Sequence, residues 1–167
     1  HSGEATYSHM TYQAFKHYVD VQRTRTMQTT TVPELVKKHF RYATALWPDY
    51  RSDRDGFNAQ DHSVNHFTPD KLAHGFHNAM AASDKYVWTW DMKVHWWPTY
   101  NNVSRHIRPE HRRVFPEAYL KTPALARQPM DLSWTPGLDD HDKYPAAQFD
   151  AASIKSTLEN YDVLTDL

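Results

Sequence analysis

Histidine pairs are the first residues in this sequence whose spacing could support chemistry. His62 and His66 are four residues apart, and His74 and His77 are three apart, so either pair could share a helix face and bind a metal ion. The glutamate of a zinc-protease motif is absent, because Ser63 follows His62. Dispersed histidines in a chain with 12 of them are more often surface or packing residues. We therefore expect neither a metal site nor a cofactor.

An acidic turn, Asp53-Arg54-Asp55-Gly56, has the residue types of a calcium-binding loop. If Gly56 takes the sixth position of such a loop, Arg51 falls at the first position and His62 at the twelfth. Neither side chain supplies the carboxylate oxygen that calcium requires there. The sequence favours a solvated loop with a salt-bridged turn.

Two carboxylates lie near aromatic residues in the sequence. Glu4 is close to the start, and Asp91 directly follows Trp88-Thr89-Trp90. Aromatic side chains stack on sugar rings, and a pair of carboxylates performs glycoside hydrolysis. Other enzyme signatures are missing, since the four scattered glycines form no phosphate-binding loop, dinucleotide fingerprint or nucleophile elbow. Glu4 and Asp91 are therefore the candidate catalytic residues of a carbohydrate-active alternative.

One region also resembles a known class of proteins. The segment Asp84-Lys85-Tyr86-Val87-Trp88, with Trp96-Trp97 after it and His66-Phe67-Thr68-Pro69 before it, resembles the final strand region of bacterial barrel proteins similar to glycoside hydrolases. The resemblance implies that the chain is the C-terminal part of an α/β barrel. In that pattern an acidic residue follows the aromatic strand. Met92 stands at that position here, and Asp91 lies one residue earlier, on the opposite face of a strand.

Hydrophobic periodicity predicts three helices that would position these residues. The first covers Thr11 to about Met27. The second begins at a capping box formed by Thr31 and Glu34 and extends to Trp47, before Pro48. The third begins at the Thr68 cap, with Leu72, Phe76 and Met80 on one face.

Residues 84–97 fit two incompatible patterns. Large apolar residues alternate with other residues from Tyr86 to Trp96, which favours a strand. Apolar residues from Phe76 to Trp97 also keep a helical spacing, which would extend the third helix to Pro98. The sequence leaves both structures open.

Frequent prolines dominate the chain after Pro98 and predict an extended conformation. The predicted fold is mainly α, with a small helical body at 1–97, an extended proline- and aromatic-rich interaction arm at 98–149, and a short C-terminal helix at 150–167. Aromatic side chains of the body and the arm are the expected interface anchors. They are Trp88, Trp90, Trp96, Trp97, Tyr119, Trp134 and Tyr144.

Composition narrows the possible functions further. A net charge of -1 gives no general attraction to nucleic acid, and charged residues interrupt every hydrophobic stretch before it reaches the length of a membrane span. The absence of cysteine excludes disulfides, thiolate metal sites and a cysteine nucleophile. The start at His1 suggests a trimmed chain or a mature form whose targeting segment has been removed.

These features together favour an accessory or structural subunit of a larger protein assembly, with no catalytic activity of its own. Other protein subunits are its expected partners. A processed start without a membrane span would suit a peripheral subunit of a mitochondrial respiratory or ATP-synthesising complex. The alternative, from the resemblance, is the C-terminal segment of a carbohydrate-active barrel. Strand pairing at residues 85–95, with Glu4 beside Asp91 at one end of a sheet, would favour that alternative over a continuous helix.

Overall fold

The computed structural model describes residues 3–50, 57–92, 94–97 and 113–136. The acidic turn at 53–56, the predicted C-terminal helix and the predicted anchor Tyr144 lie outside these residues.

The described part of the chain contains helices and two pairs of short strands. The helices are α1 (Tyr12–Thr29), α2 (Pro33–His39), α3 (Pro69–Ala82), α4 (Glu117–Leu120) and α5 (Thr122–Leu125), with 3-10 turns at Glu4–Thr6 and His62–Val64. The strands are β1 (Thr44–Leu46), β2 (Val87–Thr89), β3 (Val94–His95) and β4 (Arg113–Val114). None of the helices described is long and apolar enough to cross a bilayer.

The N-terminal caps of α1 and α3 confirm the starts predicted from the sequence. Thr11 accepts a hydrogen bond from the Ala14 amide at 3.3 Å, and Thr68 accepts one from the Lys71 amide at 3.2 Å. Each cap satisfies an amide that has no partner within its helix. The two helices pack against each other, and α3 buries Leu72 and Phe76 as predicted, whereas Met80 is 40% exposed.

The predicted second helix is wrong beyond its first two turns. Helix α2 ends at His39, and residues 44–46 form β1 instead. The predicted Thr31 cap is also wrong, since Val32 occupies the cap position without a side-chain hydrogen bond. All three residues of β1 are buried, and they pair with a strand more than 40 positions away. A local hydrophobic periodicity cannot show the stability that this long-range pairing provides.

Strands β1 and β2 are parallel and are connected through α3, which ends at Ala82, so residues 87–89 form a strand and do not continue that helix. Thr44 pairs with Val87, and Leu46 pairs with Thr89. The β1 side chains at positions 44 and 46 face α3. The Thr44 hydroxyl donates to the Ala79 carbonyl at 3.5 Å, and a Cβ atom at Gly75 would lie only 2.9 Å from Leu46 Cδ2. A side chain at position 75 would force the end of Leu46 to shift, so the glycine favours this close approach of helix and strand.

Residues 113–136, which belong to the predicted extended arm, pack on the helical body. Strand β4 pairs in parallel with β3, and the short helices α4 and α5 contact α3. Phe115, Tyr119 and Ala126 are buried in the main core. Thr122 is also buried, and the four residues are separated by four, three and four positions. This helical spacing puts their side chains on one face, which packs against the body.

The Tyr119 hydroxyl ties this segment to the loop before α3. It donates to the Phe67 carbonyl at 2.7 Å and accepts from Asn65 Nδ2 at 2.8 Å, and burial raises its pKa to about 12. We expect Tyr119→Phe to lower the free energy of unfolding by about 1–3 kcal/mol, because it leaves two buried polar groups without this partner. Urea unfolding measures the change. Tyr86→Phe, at a side chain that is 58% exposed, is the control. Equal midpoints for the two variants would contradict the prediction.

Candidate functional site

The candidate site lies where β1 and β2 end, at the same edge of their sheet. Leu46 and Thr89 are partners in the ladder, Asp49 lies three residues after Leu46, and Asp91 lies two residues after Thr89. The chain direction therefore brings two carboxylates to the carboxyl end of adjacent parallel strands. In α/β proteins this is the edge at which ligands bind.

Asp49 holds the backbone of this edge in place. Its side chain is 1% exposed, and its Oδ1 accepts from Trp47 Nε1 at 2.8 Å. The Met92 amide donates to both carboxylate oxygens at 3.2 Å, and the Val94 amide donates to Oδ2 at the same distance. The carboxylate thus fixes the bend between β2 and β3, where Asp91 lies. These hydrogen bonds compensate for the burial of the charge.

Asp91 and His95 form a hydrogen-bonded pair within that bend. His95 Nδ1 donates to Asp91 Oδ2 at 2.8 Å, and the two side chains are 9% and 22% exposed. Burial raises the pKa of the Asp91 carboxyl above its ordinary value, the hydrogen bond from His95 opposes this rise, and the Asp49 charge adds to it. A partly exposed carboxyl with a raised pKa is suited to general acid catalysis.

An aromatic cluster lies on the sheet face opposite α3. The ring of Tyr7 contacts the rings of Trp47 and Trp88 edge-on, with centroids 6.0 and 5.7 Å apart, and Tyr50 contacts Trp47 in the same way at 5.2 Å. The Tyr7 carbonyl accepts from the Trp47 amide at 3.0 Å, so the chain before α1 runs beside β1. All four side chains of the cluster are partly exposed.

Two exposed tryptophan rings belong to the chain segment around Asp91. Trp90 precedes it and is 49% exposed, and Trp97 is 66% exposed. The Trp90 amide donates to the Leu46 carbonyl at 2.9 Å, which fixes the backbone of this tryptophan at the sheet edge. Exposed indole rings next to an acid are an arrangement that can stack on a sugar ring.

The remaining residues predicted from the sequence lie elsewhere. Glu4 is exposed in the first 3-10 turn, next to Gly3, where an added Cβ atom would lie 2.7 Å from the Ala43 carbonyl oxygen and 2.8 Å from the Thr44 α-carbon, at the amino end of β1. Asp91 lies past the other end of the sheet, and no described contact joins the two acids. Trp96 packs on Phe76 and Phe115 near the core, and Trp134 stacks on His74 with centroids 4.2 Å apart.

The paired histidines are engaged separately in the structure. Nε2 of His62 and Nε2 of His66 lie within hydrogen-bond distance of the carbonyls of Ala59 and Ser8, at 3.1 and 3.2 Å. His77 Nδ1 lies 2.8 Å from the Ala126 carbonyl. The described residues contain no group of three or more side chains placed to hold a metal ion.

Asp49 and His95 are functional candidates that the sequence analysis missed. Asp49 follows Pro48 in a polar stretch, so it has the local appearance of a loop residue. An acid two or three positions after a strand is typical of a ligand site at the carboxyl edge of a sheet. Asp49 could be recognised in this way only if β1 were already known.

Comparison of the chain with family models, with curated proteins and with solved structures finds no match.

Proposed function

We propose that this chain is the C-terminal part of a carbohydrate-active α/β-barrel protein and that the carboxyl edge of β1 and β2 binds a saccharide. The observation that carries the proposal is the pairing of Asp91 with His95 at that edge, directly beside the exposed ring of Trp90. An acid with a raised pKa and an aromatic platform are the two elements that a glycoside-cleaving site needs on one side of the sugar.

The strand arrangement supports the barrel. The unit β1-α3-β2 is a parallel βαβ unit, and the chain before α1 adds a further segment beside β1. Parallel sheets occur almost always with both faces covered, because their crossover helices lie on the faces. Here α3 covers one face, and the half-exposed rings of Tyr7, Trp47 and Trp88 lie on the other. In a barrel that second face would be the interior.

Asp91 is the general acid in this proposal. Asp49 is unsuited to act as a nucleophile, since it is buried and holds backbone amides in place. Glycoside hydrolysis uses a second carboxylate about 5–9.5 Å from the first. Glu4, the other acid predicted from the sequence, lies at the amino end of β1 and is therefore not placed to be that second carboxylate.

Binding to an array of oligosaccharides tests the proposal. We expect Trp90→Ala to weaken binding of any saccharide that the native chain binds by about two- to thirteenfold, because aromatic stacking contributes about 0.5–1.5 kcal/mol. Leu125→Ala is the control, since Leu125 has the same exposure of 49% and lies on α5. A chain that binds no saccharide, or a Trp90 variant that binds like the control, would contradict the proposal.

A second candidate function, an accessory subunit of a protein assembly, is supported by a different observation. Val32, Leu35 and Phe40 at and around α2 are 50%, 57% and 40% exposed, and none of the residues of α2 is buried. Exposed apolar side chains that lie together are typical of surfaces that bind other polypeptides. Association with a mitochondrial complex remains part of this second proposal. Isolation of the native protein with stoichiometric partner subunits would favour it.

A further inference from the structure

A cleft on the side of the molecule where α1 ends has no role in the proposed saccharide site. We call it the basic cleft. It has a volume of about 510 Å³, and side chains from the end of α1, from α2 and from the residues just before β1 and β2 line it. They are Arg23, Met27, Val36, Lys37, Phe40, Arg41, Tyr42 and Asp84. Tyr42 and Asp84 precede the two strands, whereas Asp49 and Asp91 follow them, so the basic cleft and the saccharide site lie at opposite ends of the sheet.

Positive charge is concentrated around the basic cleft. Residues 21–41 contain five of the 19 Lys and Arg residues and one of the 20 Asp and Glu residues, a net charge of +4 in a chain whose net charge is -1. The five cations are Arg23, Arg25, Lys37, Lys38 and Arg41, and the acid is Glu34. The lining of the cleft contains three cations and one acid, Asp84, and this excess of positive charge favours a partner of negative charge.

The cations of the cleft differ in their existing partners. Arg23 Nη2 pairs with Asp84 at 2.7 Å, and Lys37 pairs with Glu34 at 2.8 Å. Arg41 donates from Nη1 to the Phe40 carbonyl at 2.7 Å, and no carboxylate in the described ranges pairs with it. Arg41 is therefore the cation of the cleft that can take a new carboxylate partner without breaking an existing ion pair.

Apolar surface lies next to this charge. Phe40 lines the cleft and is 40% exposed, and Val32 and Leu35 on the adjoining part of α2 are 50% and 57% exposed. The side chain of Tyr42 is 3% exposed, and its hydroxyl has no hydrogen-bond partner within the described part of the chain. A buried polar group without a partner is unfavourable.

We propose that the basic cleft docks an acidic segment of another polypeptide, which places a large apolar side chain between Val36 and Phe40 and a carboxylate against Arg41. The concave shape favours a polypeptide, since a bilayer surface has no protruding group to fill a volume of this size. The apolar lining and rim disfavour nucleic acid, whose backbone would use the cations and leave Leu35 and Phe40 exposed to water. Acidic and apolar residues together complement both parts of the surface.

The test uses the full chain and a labelled synthetic 15-residue peptide with Leu and Phe four positions apart and Glu at the flanking positions. We expect binding in fluorescence anisotropy, with amide shifts in NMR confined to residues 23–42 and 84. Arg41→Glu should weaken binding at least tenfold. The matched control is Arg127→Glu, a charge reversal at an exposed residue beyond α5, and it should change binding less than twofold. Circular dichroism verifies that both variants keep the native fold.

Three other results would overturn the proposal. The first is no peptide binding at millimolar concentration. The second is equal weakening by the two charge reversals, which would indicate general attraction of an acidic peptide. The third is binding to vesicles of phosphatidylcholine and phosphatidylglycerol, or to a double-stranded oligonucleotide, more tightly than to the peptide. A peptide with the same composition but with Leu and Phe adjacent should bind at least fivefold more weakly. None of these results depends on saccharide binding, so the two proposals can fail separately.

Discussion

Asp49→Ala is expected to lower the free energy of unfolding by about 3–5 kcal/mol, the largest stability effect of any single exchange at the site. The side chain is 1% exposed and accepts hydrogen bonds from Trp47 Nε1 and from the amides of Met92 and Val94. Alanine would leave these donors without the carboxylate in a place that water does not reach. Chemical unfolding followed by tryptophan fluorescence measures the change.

Asp61→Ala is the matched control for this prediction. Asp61 also accepts from a backbone amide and from a side chain, those of Ser63, but it is exposed, so water can replace the lost acceptor. Asp49→Asn should be intermediate, because an amide oxygen still accepts while the amide nitrogen is a poor match for a neighbouring donor. If both alanine variants lost a similar free energy of unfolding, burial of Asp49 would not be the reason for its contribution to stability.

Local signals explain which elements the sequence could predict. The starts of α1 and α3 follow from Thr11 and Thr68, whose caps act over three residues. Each of these two caps is contained within a short stretch of chain, so neither a partner nor the rest of the fold is needed to recognise it. The alternation around Trp88 was one of two open patterns for β2, and the ladder with β1 decides in favour of the strand.

Long-range contacts explain what the sequence could not predict. Strand β1 has only three residues, and its stability depends on a ladder to Val87–Thr89 and on the packing of Leu46 against Gly75. Without β1, neither Asp49 nor the meeting of two strand ends could be placed. The packing of residues 113–136 on α3 could not be predicted either. The prolines in this segment favoured an extended conformation over the helical spacing of Phe115 and Tyr119.

Asp91 was predicted as a site residue, but its partner was not. The sequence analysis paired it with Glu4, whereas the structure shows a hydrogen bond to His95, four residues away across the bend that Asp49 holds. In a regular strand, residues four apart would be well over 10 Å from each other along the chain direction. The bend between β2 and β3 brings them into contact, and nothing in the alternating pattern indicates it.

Asp91→Asn is expected to lower the rate of saccharide hydrolysis by about 10²- to 10⁴-fold if the chain performs the proposed reaction, because the leaving oxygen loses its proton donor. The raised pKa of Asp91 enlarges the protonated fraction of the carboxyl at any pH above its ordinary value. The rate carried by this acid should therefore be full at low pH and fall as the pH rises through that raised pKa. The amide that Asp91→Asn introduces cannot titrate, so this limb of the pH profile should disappear in the variant.

A change of leaving group separates acid catalysis from a structural effect at Asp91. An aryl glycoside with a nitrated phenol leaves without a proton, so its hydrolysis should be affected far less by Asp91→Asn than hydrolysis of an alkyl glycoside. Asp131→Asn, an exchange at an exposed aspartate whose carboxylate accepts from Ser133, should leave both rates unchanged. If the two glycosides lose the same factor with Asp91→Asn, the carboxyl does not protonate the leaving group, and its bond to His95 only maintains the bend.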